Sequence, residues 1–295
     1  MYTAVLEQHR LRIETALPQY LPVAEGASAL TAEAMAYACE AGGKRIRPVL
    51  VMEFARLCGG DAEKALPFAC ALEMIHSYSL VHDDLPCMDN SPLRRGRPST
   101  HAAYGETIAL LAGDGLLNRA FEVCASPKNR NGLSAESVLN ATAVLADAAG
   151  QDGMIGGQTI DLQSEGKLIE SDVLEELHRK KTGALLIAAC KMGAILADAD
   201  EARVAAAEAY GAHLGLAFQI VDDLLDATAT AEQLGKPTGA DEENQKSTYV
   251  TLYGLDGARQ MAESETDAAL EALSAFGEAA NELRELTGAL LNRPS

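Results

Sequence analysis

Apolar and polar positions recur along most of the chain at the 3.6-residue helical period, with no run of the two-residue alternation that marks half-buried strands. Leu6, Ile13 and Leu17 fall at helical spacing over residues 3–17, and Pro18 and Pro22 are expected to stop that helix. A second helix is predicted over Ala29–Glu40. The turn Ala41–Pro48, permitted by Gly42-Gly43, carries Lys44, Arg45 and Arg47 and leads into an apolar helix through Leu57, stopped at Gly59-Gly60. Asp61 is a suitable N-cap for the next helix, which runs until Pro86, whose ring would clash with the carbonyl four residues back. Further helical patterns cover Gly105–Ser126, Ser134–Ala149, Ser171–Ala197 and Asp200–Ala227. Gly183 weakens the third of these beside Lys180-Lys181. The stretch from Gly235 to Tyr249 is predicted as a loop, and Thr248–Leu291 as short helices with polar faces.

Composition agrees with that pattern. Ala, Leu and Glu are abundant, aromatic residues make up 4% and Trp is absent, which points to an all-α fold. No fixed repeat or low-complexity segment divides the chain, so one domain over residues 1–295 is the expectation. A formal net charge of −19 argues against a general nucleic-acid or anionic-membrane surface while permitting a local basic pocket. The cysteines at 39, 58, 70, 87, 124 and 190 form no CxxC pair and lie mostly in apolar runs, as reduced thiols of a cytoplasmic protein do. The first residues lack the apolar core of a signal peptide, and no continuous apolar run reaches the roughly 18 to 20 residues needed to span a bilayer.

The candidate chemistry is concentrated in Ser79–Pro98. Asp83, Asp84 and Asp89 crowd their carboxylates together, and Arg94, Arg95 and Arg97 follow the turn-forming Asn90-Ser91-Pro92. Crowded carboxylates call for a shared hard cation, and guanidinium groups capture phosphate oxygens in bidentate fashion. His76 lies two helical turns before Asp83, on nearly the same face. Downstream, Gln219, Asp222, Asp223 and Asp226 share one side of a helix at i, i+3, i+4 and i+7, beside an apolar stripe of Phe218, Val221 and Leu225. Mg²⁺ binds through one or two carboxylates plus substrate phosphates, so two acidic clusters at helix ends suit several ions closed by a diphosphate. The cations exceed what one diphosphate needs: Arg94, Lys181 and Lys236 suffice for a first, and Lys44, Arg47 and Arg95 for a second. That surplus points to a reaction joining two diphosphate esters.

Some of these residues also suit plainer roles. The basic turn at Lys44 also suits a solvated surface turn, and His76 a satisfied polar residue in a packing face. Neither acidic cluster has the alternating acids of an EF-hand, and closely spaced Cys or His for zinc are missing. His82-Asp83 suits a metal-dependent phosphohydrolase with scattered ligands. A terpene cyclase of the ionising type has no use for a second diphosphate site. A non-catalytic partner subunit is expected to have lost one acidic cluster, and this chain keeps both.

The chain resembles the polyprenyl diphosphate synthases, the trans-prenyltransferases, and within them the bacterial farnesyl-forming branch. The resemblance rests on Gly43-Lys44-Arg45-Ile46-Arg47-Pro48, the D-D-x-x-x-x-D motif at Asp83 followed by Arg94-Arg95-Gly96, Lys181-Thr182-Gly183, Phe218–Asp226 and Gly235-Lys236-Pro237-Thr238-Gly239 with Asp241, spanning about Gly42 to Tyr253. It implies an all-α single-domain bundle around a deep central cavity, usually a homodimer. It implies that Asp83, Asp84, Asp89 and Asp222 bind Mg²⁺, three ions per site with Mn²⁺ as the alternative, and that Asp223 and Asp226 support them. Arg94, Lys181 and Lys236 would then grip an allylic diphosphate, dimethylallyl or geranyl, while Lys44, Arg47, His76 and Arg95 hold isopentenyl diphosphate. Thr182, Gln219 and the Lys181 carbonyl would lie near the allylic cation. Tyr78, with Ser79, resembles the floor that stops elongation at fifteen carbons, the twenty-carbon geranylgeranyl product being the alternative. Ser91-Pro92 and Val250 depart from the family pattern without removing a residue of assigned role.

Overall fold

The computed structural model describes residues 3–228 and 247–291. Apart from a two-stranded hairpin, Leu93–Arg94 against Arg97–Pro98, its regular structure is helical. The long helices are α1 (Ala4–Tyr20), α2 (Ala29–Cys39), α3 (Ile46–Leu57) and α4 (Ala62–Asp83), followed by the short α5 (Thr100–Tyr104). Then come α6 (Glu106–Ala125), α7 (Ala135–Ala149), α8 (Met154–Ser164), α9 (Ser171–His178) and a π turn (Arg179–Gly183) running directly into α10 (Ala184–Leu196). The chain closes with α11 (Glu201–Thr228), α12 (Tyr249–Ala272), a 3₁₀ segment (Leu273–Ala280) and α13 (Asn281–Leu291).

Local chemistry sets the boundaries. Asp61 caps α4 by accepting from the Glu63 amide at 3.0 Å, and Ser134 caps α7 by accepting from the Ser137 amide at 2.9 Å. α4 is the axle of the bundle, packed on α3, α6 and α10. Phe68, Leu72, Met74 and Ile75 are fully buried on it, so it is apolar on nearly every side, as a central helix must be. A second layer of α10 and α11 is covered by α12, and Tyr210 ties α11 to α13 through a 2.8 Å hydrogen bond with Thr287. α11 is the one described helix long and apolar enough to cross a membrane, but it packs between α10 and α12 and carries Asp222, Asp223 and Asp226.

Three expectations are corrected. Pro18 does not stop α1, which continues to Tyr20: so near the end of a helix the proline forfeits little more than the bond to the Glu14 carbonyl. The C-terminal part starts with a short helical piece that breaks at Gly254, where φ is 72° and the backbone is not helical, but the piece after the break runs on to Ala272 and is longer than expected. Residues 154–164, which no pattern marked, form α8. Most of the loop predicted from Gly235, including Lys236, lies outside the described residues.

Candidate active site

The first acidic motif is built by the end of α4. Asp83 is its last residue and Asp84 its C-cap. The chain then folds back, with the Asp89 amide donating to the Asp83 carbonyl at 2.9 Å and the Asn90 amide to the Leu85 carbonyl at 3.1 Å. The hairpin turns through Arg95 and Gly96, both at positive φ, a geometry that matches strand twist in a two-residue turn. It returns Arg94 to the motif, where its Nη2 donates to Asp84 Oδ1 at 2.5 Å and its Nε lies within 3.2 Å of both carboxylate oxygens. Asp84 is only 2% exposed, so this guanidinium is its counter-charge. Burial pushes the Asp83 carboxyl up to about 6; Lys181 and Arg94 pull it down, while Asp89 and Asp84 push it further up. The carboxylates at 83, 84 and 89 therefore share one electrostatic field with Arg94 and Lys181.

The basic turn faces the same region from the other side. Arg47 and His76 line the cavity that also holds Asp83 and Lys181. Burial lowers the Arg47 pKa, and its Nε is buried with no hydrogen-bond partner among the described residues. His76 is held well below the usual imidazole value by burial first, then by Arg47, Arg95, Arg45 and Arg94, so the ring is neutral near pH 7. Arg95 donates to the Gly42 carbonyl and lies over Gly43, where a Cβ would fall 2.5 Å from its Nη1. Lys44 is exposed on the same turn.

Lys181 and Thr182 sit on the π turn, a wide helical turn of the kind found at functional sites. Lys181 Nζ donates to Asp161 Oδ2 of α8 at 2.5 Å, and Thr182 Oγ1 donates to the Gln219 side-chain oxygen of α11. Gln219 stands one helical turn before Asp222, so this hydrogen bond ties the π turn to the helix that carries the second acidic cluster. The adjacent pair there divides: Asp223 is 9% exposed and its Oδ2 accepts from the Tyr249 amide at 2.8 Å, capping α12, while Asp222 and Asp226 are half-buried. Among the described residues no three Asp, Glu, His or Cys side chains converge on one point as a ready-made metal cage. The donor set is all carboxylate oxygen, which fits a hard cation whose remaining ligands come from phosphate and water.

Of these groups Arg47, His76, Asp83, Lys181 and Thr182 line a cavity of about 360 Å³, Asp84, Arg94 and Arg95 line a smaller one that shares His76 with it, and Asp89, Gln219, Asp222, Asp223 and Asp226 line neither. The lining of the larger cavity combines its five polar residues with the apolar Met88, Met154, Ile155, Leu162 and Leu185. Tyr78 and Ser79 also line it. The Tyr78 ring meets His82 edge-on with centroids 5.7 Å apart, and its buried hydroxyl has no partner among the described residues. His82 is anchored in turn by a 3.1 Å hydrogen bond to the Leu110 carbonyl.

The sequence reading missed α8 and with it Asp161. The available signal was Gly157 and Asp161 at i and i+4, which places a gap and a carboxylate on one helix face. In the structure the π turn fills that gap: a Cβ on Gly157 would stand 2.2 Å from the Lys181 amide nitrogen.

A helical bundle whose cavity lining combines Asp83, Lys181, Arg47 and His76 with a run of apolar side chains suits a ligand that is anionic at one end and hydrocarbon at the other, and its relatives give the class: a prenyltransferase. The chain belongs to the polyprenyl synthetase family, whose pattern matches residues 28–287. It is 46% identical over 255 residues to the farnesyl diphosphate synthase of Geobacillus stearothermophilus, covering 86% of this chain and 85% of the relative. It is 45% identical over 262 residues to the geranylgeranyl diphosphate synthase of Cyanophora paradoxa, covering 88% and 87%. The solved structure of an FPP/GFPP synthase from Zymomonas mobilis superposes with a TM-score of 0.86 at 38% identity, covering 97% of both chains.

Proposed function

We propose that the chain is a farnesyl diphosphate synthase, joining isopentenyl diphosphate head-to-tail to dimethylallyl and then geranyl diphosphate with release of pyrophosphate. The observation that carries this reading is the cavity whose lining gathers Asp83, Lys181, Thr182, Arg47, His76 and Tyr78.

In this reading Arg94, Lys181 and Lys236 hold the allylic diphosphate, and Lys44, Arg47, His76 and Arg95 hold isopentenyl diphosphate. Asp83, Asp84, Asp89 and Asp222 would ligate Mg²⁺, three ions per site with Mn²⁺ as the alternative, supported by Asp226 and by the remaining oxygen of Asp223. When bound there, Mg²⁺ neutralises charge on the departing pyrophosphate. Lys181 and Arg94, each already set by a carboxylate, need little reorganisation to stabilise the same charge. The Thr182 hydroxyl, the Gln219 amide and the Lys181 carbonyl face the allylic cation with oxygen dipoles. The apolar part of the lining keeps water from capturing that cation. The isopentenyl double bond attacks it, and the released pyrophosphate takes the proton lost from the new chain.

The accompanying readings have their own support. The buried, unpaired Cys39, Cys58, Cys70, Cys124 and Cys190 suit a reducing cytoplasm. Leu110 and Leu111 are 47% and 46% exposed on α6, which suits coverage by a second copy in a homodimer. Incubation of the purified protein with isopentenyl diphosphate, each allylic starter and Mg²⁺ tests the assignment. A fifteen-carbon product is expected. A twenty-carbon product would move the chain to geranylgeranyl synthesis, and no product from either starter would overturn the reading.

A further inference from the structure

The turn that carries Lys44 and Arg47 holds an unfavourable backbone. Gly42, Gly43 and Arg45 have φ of 75°, 126° and 51°. Glycine adopts such angles freely, but Arg45 occupies the left-handed region at the cost of contact between its Cβ and the backbone. A non-glycine residue stays there only where its surroundings fix it. Arg45 is also the N-cap of α3 and offers no side-chain cap, so its side chain is free for another task.

That task is a buried fork. Arg45 is 5% exposed; its Nη1 donates to Glu73 Oε1 at 2.5 Å and its Nη2 to the Cys39 carbonyl at 2.6 Å. Glu73, 2% exposed on α4, precedes His76 by one turn. The fork therefore clamps three segments at once: the end of α2, the strained turn and the face of α4 that presents His76. Arg47 lies two residues beyond the clamp, its Nε buried without a partner among the described residues. Glu73, together with His76, Arg94 and Arg95, also lines a small cavity next to the main one. Around it gather Arg45, Arg47 and Arg95, each of which feels another arginine as a repulsive neighbour or Glu73 as an attractive one.

We infer that Arg45 and Glu73 are positioning residues for the second diphosphate subsite: their buried ion pair holds the glycine turn so that Arg47 and Arg95 converge, and neither touches the ligand. The inference rests on the reading of Lys44, Arg47 and Arg95 as the isopentenyl diphosphate site. A lysine at 45 keeps the charge but is a point donor that cannot bridge Glu73 and the Cys39 carbonyl. A glutamine at 73 keeps shape and one acceptor but leaves the arginines without their carboxylate.

The test is steady-state kinetics on the full chain with each substrate varied in turn. Arg45→Lys and Glu73→Gln are expected to raise the KM for isopentenyl diphosphate about tenfold or more, an effect of the size that misplacing binding groups produces. The KM for geranyl diphosphate and kcat should stay within about threefold of the native values. A general structural lesion would move both KM values together. Equal shifts in both, or an unchanged isopentenyl diphosphate KM in a folded variant, would overturn the inference. If Arg45→Lys does not fold, Glu73→Gln decides alone. Arg47→Ala separates the underlying assignment: an unchanged isopentenyl diphosphate KM there removes the subsite itself, whatever the clamp does.

Discussion

The Lys181 ammonium lies 2.5 Å from the Asp161 carboxylate, across the seam between α8 and the π turn. Both side chains are largely buried, exposed at 28% and 17%, so solvent screens the pair only in part. The contact fixes the direction in which Lys181 points into the cavity before any ligand arrives.

Asp161→Asn keeps the shape and removes the charge. The expected result is a fall of about tenfold in kcat/KM for the allylic substrate, equivalent to about 1.4 kcal/mol of transition-state stabilisation, with the KM for isopentenyl diphosphate unchanged. Initial rates measured with each substrate varied separately check this, and native kinetics for both would show that Lys181 needs no such guide.

Gly157→Ala probes the same seam from the backbone. The added methyl would meet the Lys181 nitrogen at 2.2 Å and its Cα at 2.6 Å, main-chain atoms that cannot swing aside. Forced overpacking of this kind costs about 1–3 kcal/mol. The melting temperature should fall, and kcat should fall further, by about 10²-fold, because the π turn carries Lys181 and Thr182 together. Calorimetry with initial rates separates the two effects; loss of stability at native kcat would mean that the turn's position is not critical.

Most helix ends were legible because their causes are local. Asp61, Ser134 and Pro86 act within four residues of themselves, and the acidic clusters at Asp83 and Asp222 stand out by spacing, whereas Lys181 and Thr182 are a weak signal alone and gain a role only through the family resemblance. α8 was not legible because Gly156 and Gly157 occupy its packed face, leaving no apolar stripe to count. That Asp223 rather than Asp222 turns inward depends on where α12 begins, 26 residues further on. Lys44, Arg45 and Arg47 look alike in one short turn; only the meeting with Glu73 on α4 sets Arg45 apart.

Two perturbed groups predict opposite pH slopes for the metal-free protein. His76 has its folded pKa lowered from 6.5, so below about pH 6.5 the unfolded chain binds a proton that the folded chain refuses, and stability falls as pH falls. Asp83 has its folded pKa raised from 3.8 to about 6, so between those values the folded chain binds the extra proton, and its contribution to stability rises as pH falls. Urea unfolding in EDTA from pH 4 to 7 should show His76→Gln flattening the acid-side loss and Asp83→Asn steepening it. Identical slopes for both variants and the native chain would contradict these environments.

Tyr78 separates ring from hydroxyl. The residue stands five positions before Asp83, about 7–8 Å from it along the helix axis. It is 5% exposed and its hydroxyl is unpaired among the described residues, so the proposed stop rests on the bulk of the ring rather than on a hydrogen bond. Tyr78→Phe should therefore leave the product at fifteen carbons and keep or raise stability, since an unsatisfied buried hydroxyl costs about 1–3 kcal/mol. Tyr78→Ala removes the ring, costs about 3–5 kcal/mol of stability as large-to-small core changes do, and should lengthen the product to twenty carbons or more. Chromatography of the dephosphorylated products reads both outcomes. Elongation in the phenylalanine variant would assign the stop to the hydroxyl, and an unchanged product in the alanine variant would mean that another part of the wall ends the chain.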